Sequence, residues 1–179
     1  NTGNIGTSGA LASLSLSSAA GAASTIGAVV DGTNLETLSI SSTGTSSSAT
    51  IGALGATTDA ALTALTISAA GTSTTTVDAI NSDQSSALTS VSISAADANS
   101  TVDLAGAAID FGTGTIASLG ITVGDNASLT FANQTITSGA ITAATISLGD
   151  FATVSDSGNN TDDLTIAGAI TTLSLDTGR

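Results

Sequence analysis

Oxygen-bearing side chains are the only groups in this chain whose types and spacing suggest chemistry. The densest group is the segment DSGNNTDD, which contains Asp156, Asn159, Asn160, Asp162 and Asp163. Ca²⁺ binds roughly six to eight oxygen ligands, which Asp, Asn and backbone carbonyl groups supply. This segment is therefore the main candidate for a calcium site, and a solvated acidic turn is the alternative interpretation.

Three further aspartates are weaker candidates for cation ligands. Asp125 lies beside Asn126 in GDN, while Asp78 and Asp103 each follow a valine in the related segments TTVDAI and STVDLA. Equivalent positions in neighbouring repeats would place Asp78 and Asp103 one strand apart, where like charges repel each other. A cation between them, or exposure to water, would relieve that repulsion. The repeats-in-toxin calcium nonapeptide is absent, and DFGTGT matches it only in part.

Most other chemistry is excluded by the residue types that the chain lacks. It contains no His, Cys or Lys, its one basic residue is Arg179, and its formal net charge is −13. Nucleic acid would be repelled, ordinary zinc, haem and iron–sulfur sites lack their ligands, and nucleophilic triads cannot form. The polysaccharide lyases and hydrolases built on β-helices use basic and aromatic residues that are missing here, so we predict that the chain is not an enzyme.

A repeated motif predicts how the chain is organised. The pattern [L/I]-x-x-[L/V/A]-x-[I/L] occurs seven times, at intervals of 24 to 29 residues. Its copies begin at Leu11, Leu35, Leu62, Leu88, Ile116, Ile141 and Ile170 and end at Leu16, Ile40, Ile67, Ile93, Ile121, Ile146 and Leu175. A period in this range is typical of a solenoid.

Each repeat contains two further apolar positions. A second segment follows the motif, with apolar residues at Ile26, Ile51, Val77, Val102, Leu129 and Val154. A third position recurs before the next motif, near Val30, Leu54, Ile80, Ile109, Ile136 and Ile166. The alternation of apolar and polar residues in the motif has the period of a strand that is buried on one face.

These patterns predict an all-β fold: a parallel β-helix (β-solenoid), which we expect to be right-handed, with about seven coils of about 26 residues. Residues 1–179 would form a single β-solenoid domain. The chain does not begin with Met and has no recognisable signal peptide, so we expect it to be a fragment or a processed part of a longer chain. No apolar run is long enough for a transmembrane segment.

The acidic, Cys-free, Ser- and Thr-rich sequence with its LxxLxIS repeats resembles Gram-negative surface-layer proteins and large secreted adhesins. The resemblance implies an extracellular structural protein that assembles with itself into a surface layer, filament or matrix, with help from calcium. A repetitive adhesin stalk is the alternative function, and cell-surface polysaccharide is a candidate partner. N-x-S/T sequons, such as that at Asn99, occur about as often as chance predicts.

Ice binding is a further alternative, because flat threonine ladders on a solenoid would order water. The segments TIT at 135–137 and TIS at 66–68 and 145–147 have a suitable spacing. Because the outward positions mix Ser, Thr, Ala and Gly, the sequence predicts no face with a repeated T-x-T.

Overall fold

The computed structural model describes residues 5–6, 11–30, 34–53, 62–81, 88–104, 109–131, 135–156 and 165–178. Within these ranges the protein is all-β and contains no helix. The strands are β1 (Ile5–Gly6), β2 (Ser13–Ser18), β3 (Ala23–Ile26), β4 (Val29–Val30), β5 (Thr37–Thr43), β6 (Ser48–Ile51), β7 (Ala64–Ala70), β8 (Thr74–Val77), β9 (Ile80–Asn81), β10 (Ser90–Ala95), β11 (Thr101–Leu104), β12 (Ile109–Asp110), β13 (Thr115–Val123), β14 (Ser128–Phe131), β15 (Thr135–Leu148), β16 (Thr153–Asp156) and β17 (Thr165–Thr177).

The first sheet is made by the repeated motif. Its seven copies form β2, β5, β7, β10, β13, β15 and β17, which pair in parallel in that order. The last motif residues lie opposite one another throughout, in the column Leu16, Ile40, Ile67, Ile93, Ile121, Ile146 and Leu175. The predicted alignment of this face is confirmed.

The second sheet consists of six strands of four residues, β3, β6, β8, β11, β14 and β16, which also pair in parallel. Its predicted apolar column is wrong at one step. Val77 lies opposite Ile51, but Val102 lies opposite Thr75 rather than Val77. The shift is two residues, so the same side chains still point inward.

A third, shorter face closes the coil. Ile80, Ile109, Ile136 and Ile166 lie opposite one another, as predicted. The long strand β15 carries both the third face and the first, and its pairing with β17 shifts register between Thr137 and Ala140. The first and third faces are therefore joined into one sheet through β15.

The protein is a β-solenoid of about five turns rather than the seven coils predicted. The prediction was too high because it counted motif copies, which are strands of the first sheet alone. A full turn needs a strand on every face, and in the described part of the chain the second sheet has six strands, so complete turns are fewer than motif copies.

Inward-facing Leu, Ile, Val and Ala fill the space between the sheets. Ile40, Ile67 and Val102 are fully buried, and so are the two large rings of Phe111 and Phe131. Burying one such side chain contributes about 1.5–3 kcal/mol to the free energy of unfolding. The stacked columns are therefore the main source of stability.

The corner between the first and second sheets requires a left-handed backbone. Positive φ angles occur there at Ser46 (55°), Asn99 (62°), Asn126 (54°) and Phe151 (59°). Gly, Asn and Asp adopt this conformation at low cost, whereas other residues are strained by about 1–2 kcal/mol. Phe is therefore an unfavourable residue type for the backbone conformation at position 151.

A buried hydroxyl network lies inside the same corner. Ser42 Oγ is 2.9 Å from Ser73 Oγ and 2.7 Å from Thr75 Oγ1. Thr75 Oγ1 donates to the Ser68 carbonyl at 2.6 Å, and Ser73 Oγ contacts the Ala70 carbonyl at 2.8 Å. Because these buried hydroxyls have partners, they can replace apolar residues without a large desolvation cost.

Candidate functional site: the acidic corner and the solenoid ends

The predicted pair of Asp78 and Asp103 is not formed as a ladder pair. Asp103 lies on β11 opposite Thr76, whereas Asp78 lies just beyond the end of β8. Asp78 is exposed and Asp103 half-buried. The shift of two residues between β8 and β11 therefore places Asp103 two positions away from Asp78 along the neighbouring strand instead of directly opposite it.

Asp125 belongs to an acidic corner that the sequence analysis missed. Asp97, Asp125 and Asp150 each follow the last motif residue by four positions, at the corner between the two main sheets on three successive coils. Asp97 Oδ2 accepts a hydrogen bond from the Gly71 N–H at 2.8 Å, and Asp125 Oδ1 accepts one from the Asp150 N–H at 2.8 Å. The sequence feature that could have revealed this corner is the fixed spacing of four residues between each aspartate and the last motif residue.

The carboxylates of the acidic corner take part in hydrogen bonds between coils. Two oxygens of the acidic corner already accept backbone hydrogen bonds. Among the residues that the structure describes, no group of three His, Cys, Asp or Glu side chains is arranged to hold a metal ion. The acidic corner therefore ties neighbouring coils together through their backbone.

The main predicted calcium segment falls largely outside the described residues. Asp156 ends β16 opposite Phe131, and only its backbone is described. Asn159, Asn160, Asp162 and Asp163 lie outside the described ranges.

The outer face of the second sheet carries hydroxyl columns that the sequence analysis did not foresee. One column is Ser48, Thr74, Thr101, Ser128 and Thr153, and the next is Thr25, Thr50, Thr76, Asp103, Thr130 and Ser155. The expectation that this face does not repeat a T-x-T pattern is confirmed for the described second sheet, since only β8 is T-x-T, while β6 is S-x-T and β11 is T-x-D. Asp103 is the charged interruption in these columns.

Besides Phe151 at the corner, the exposed large hydrophobic residues of the described chain lie on or next to the first and last strands of the first sheet. Leu173 and Leu175 on β17 are 55% and 60% exposed, and Leu11 at the opposite end is 39% exposed. Leu119 and Ile121, which occupy the Leu173 and Leu175 positions on β13, are each 1% exposed. The leucines on β17 thus occupy motif positions that are buried on β13.

The ends also differ in charge. Residues 1–30 contain no ionisable side chain, whereas β17 carries Asp176. Among the described strands, β2 pairs with β5 and β17 pairs with β15.

The comparisons with known proteins do not identify a relative. No protein-family model matches the chain, and neither the curated proteins nor the solved structures contain a significantly similar chain. None of the described segments forms a helix with the length and hydropathy needed to cross a membrane.

Proposed function

We propose that this protein is a structural element, a self-assembling β-solenoid segment of an extracellular surface layer, filament or matrix. The observation that carries this proposal is the repeated register of the first sheet, in which seven parallel strands place the same motif positions opposite one another. Each coil of such a solenoid contacts its neighbours through the same surface, so a coil of the same type in another copy can stack in the same way. The extracellular location rests on the resemblance to secreted surface proteins.

The charge distribution supports assembly by the ends rather than by the sides. The net charge is −13, and exposed carboxylates such as Asp97, Asp125 and Asp150 lie on a corner that runs along the rod. Like charge on the sides of neighbouring rods keeps them apart. Divalent cations would weaken this repulsion and permit lateral contacts, including contacts with acidic cell-surface polysaccharide.

Calcium is an accessory in this proposal. The segment DSGNNTDD would supply its ligands, because it is the densest group of carboxylate and amide side chains in the sequence. Replacing Asp162 and Asp163 with Ala, which has no side-chain oxygen, would then weaken the calcium dependence of assembly.

Electron microscopy of the purified chain, with calcium and after chelation, tests the proposal. Filaments or sheets in either condition are the expected result, and order that requires calcium would assign the cation a role in assembly. Dispersed single rods in both conditions at high protein concentration would contradict self-assembly and favour a repetitive adhesin stalk.

Ice binding is a second candidate function, which the hydroxyl columns of the second sheet favour. Parallel strands place the side chains of each column roughly 4.8 Å apart, and the two columns lie two residues apart along each strand. Replacing Thr76 with Tyr should abolish inhibition of ice recrystallisation, while Ser92→Tyr on the first sheet should not. Absence of inhibition in the unmodified protein would dismiss this function.

A further inference from the structure

We propose that this solenoid opens as two cooperative units that meet at a junction between β8 and β11. The first unit contains β5 to β9, the second contains β10 to β16, and the first opens at the lower free energy. Each coil of a solenoid contacts only its neighbours, so a change in the core between two coils divides the structure into separate opening units. This inference goes beyond the proposed function and does not depend on it.

The second sheet changes its alignment at the junction. Before it, Val77 lies opposite Ile51, and after it, Val102 lies opposite Leu129, but the step between β8 and β11 places Val102 opposite Thr75. This step also has the shortest pairing of the described second sheet, with three residue pairs against four at each of the other steps. Fewer backbone contacts therefore join the two units on this face.

The inward column of the second sheet nearest the corner changes from small or polar residues to larger apolar ones. Ala49 and Thr75 occupy it before the junction, and Val102 and Leu129 occupy it afterwards. All four side chains are buried. Because the free energy gained on burial grows with the apolar area removed from water, the second unit gains more from this column.

The first sheet changes in the same way where it faces that column. Its inward positions at the corner are, in coil order, Ser42, Ala69, Ala95 and Val123. The two sheets therefore both provide small side chains before the junction and larger ones after it. The core of the second unit is the more apolar on both sides of the corner.

The coils after the junction are also wider. Two residues lie between Val77 at the end of β8 and Ile80 of the third face, whereas four lie between Leu104 at the end of β11 and Ile109. The same four-residue interval follows Phe131 at the end of β14. The buried Phe131 ring thus belongs to the wider coils, which enclose more apolar surface.

The buried hydroxyl network stabilises only the first unit. Its members Ser42, Ser68, Ser73 and Thr75 all lie before the junction, and they join β5, β7 and β8 to one another. Because these bonds lie within one unit, they favour its opening and closing as a whole. They do not oppose its separation from the second unit.

Asp97 links the two units across the junction. One coil earlier, the Gly44 N–H donates a hydrogen bond to the Ala70 backbone carbonyl at 3.1 Å. The Gly71 N–H, at the equivalent corner position, donates instead to the Asp97 carboxylate at 2.8 Å. A side chain that can be replaced thus takes the place of a backbone acceptor, while the pairing of β7 with β10 keeps the units coupled.

Hydrogen exchange followed by mass spectrometry, at low protein concentration and in increasing sub-denaturing urea, tests the division. Amides of β6 and β8 should share one opening free energy, and amides of β11 and β14 should share a higher one. The comparison of β6 with β14 is matched, because each is second from one edge of the described second sheet. One common value for all four strands, or values that rise evenly from β6 to β14, would overturn the proposal.

Two variants test the junction itself. Asp97 and Asp125 are both exposed, and each accepts one backbone N–H at 2.8 Å, but Asp97 bonds across the junction whereas Asp125 bonds Asp150 within the second unit. Opening of the first unit breaks only the Asp97 bond. Asp97→Ala should therefore speed exchange in β6 and β8 by roughly three- to tenfold.

Asp125→Ala is the matched control, because it removes the same charge and the same kind of hydrogen bond. It should leave exchange in β6 and β8 unchanged and speed exchange in β11 and β14. Equal acceleration of β6 and β8 by the two variants would show that the solenoid opens as a single unit. No acceleration by Asp97→Ala would contradict a link between the units at this residue.

Discussion

The loss in free energy of unfolding caused by a Leu→Ala substitution should depend on whether the leucine lies in the middle of the first sheet or on its last strand. Leu65 and Leu173 occupy the same motif position, on β7 in the interior and on β17 at the end. Leu65 is 1% exposed and lies between Leu38 and Val91, whereas Leu173 is 55% exposed. Both leucines are replaced with Ala, so the two variants lose the same side-chain atoms.

The expected magnitudes follow from burial. A fully buried Leu→Ala substitution lowers the free energy of unfolding by about 2–5 kcal/mol, part of which comes from the cavity left behind. A little under half of Leu173 is covered, so its loss scales to about 1–2 kcal/mol, and an open end leaves no enclosed cavity. Leu65→Ala should therefore destabilise the protein at least about twice as much as Leu173→Ala.

Urea unfolding of the two variants at low protein concentration measures this difference. The transition midpoints should fall with little change in slope, because a single truncation barely alters the surface exposed on unfolding. Equal losses at low concentration would refute the assignment of Leu173 to an uncovered end. A loss at Leu173 that grows with protein concentration would instead indicate that assembly buries this residue.

Three other substitutions test local features of the coil, each by urea unfolding. Phe151→Asn should stabilise the protein by about 1 kcal/mol, because Asn tolerates the left-handed backbone and an 80% exposed ring loses little packing; a loss of stability would show that the ring has a structural contact. Thr75→Val should cost about 1–3 kcal/mol by breaking the buried hydroxyl network, and adding Ser42→Ala should recover part of that loss, while strictly additive losses would contradict coupling. Gly52→Ala should destabilise the protein more than Gly21→Ala. A Cβ at Gly52 meets the Gly27 carbonyl oxygen, whereas a Cβ at Gly21, where φ is +72°, meets nothing within 4 Å. The reverse order would contradict the close stacking of Gly52 on Gly27.

The first sheet was predictable because its signal is redundant. Seven copies of one motif fix both the strand direction and the register, and the predicted column from Leu16 to Leu175 is the observed one. A slip of one residue would turn every buried side chain outward. The sequence therefore leaves this face no alternative alignment.

The second sheet was harder because its strands are short and tolerate a shift of two residues. TTTV and TVDL both place a β-branched residue at the second position, and the valines suggested an alignment of Val77 with Val102. The observed register places Thr75 opposite Val102 instead. Burying Thr75 carries only a small desolvation penalty because its hydroxyl is hydrogen-bonded. Hydrophobicity alone cannot foresee a buried threonine that has partners.

The spatial arrangement of the candidate site residues is harder to predict than the fold. Carboxylate composition pointed to Asp78 and Asp103, but side chains on different coils meet only when the register between those coils is known. The acidic corner of Asp97, Asp125 and Asp150 depends on its spacing from the motif, which a search for dense acidic segments overlooks. The exposure of Leu173 and Leu175 is evident only from the three-dimensional structure.

The most direct test of the central claim is the power spectrum of cryo-electron micrographs of the assembled protein. Solenoids joined end to end stack their strands along the filament axis, so the account predicts a meridional reflection at roughly 4.8 Å. A reflection at that spacing on the equator would show that the rods associate side by side across the filament and would contradict assembly by the ends. A sample with no 4.8 Å order in any direction would contradict the stacked solenoid itself.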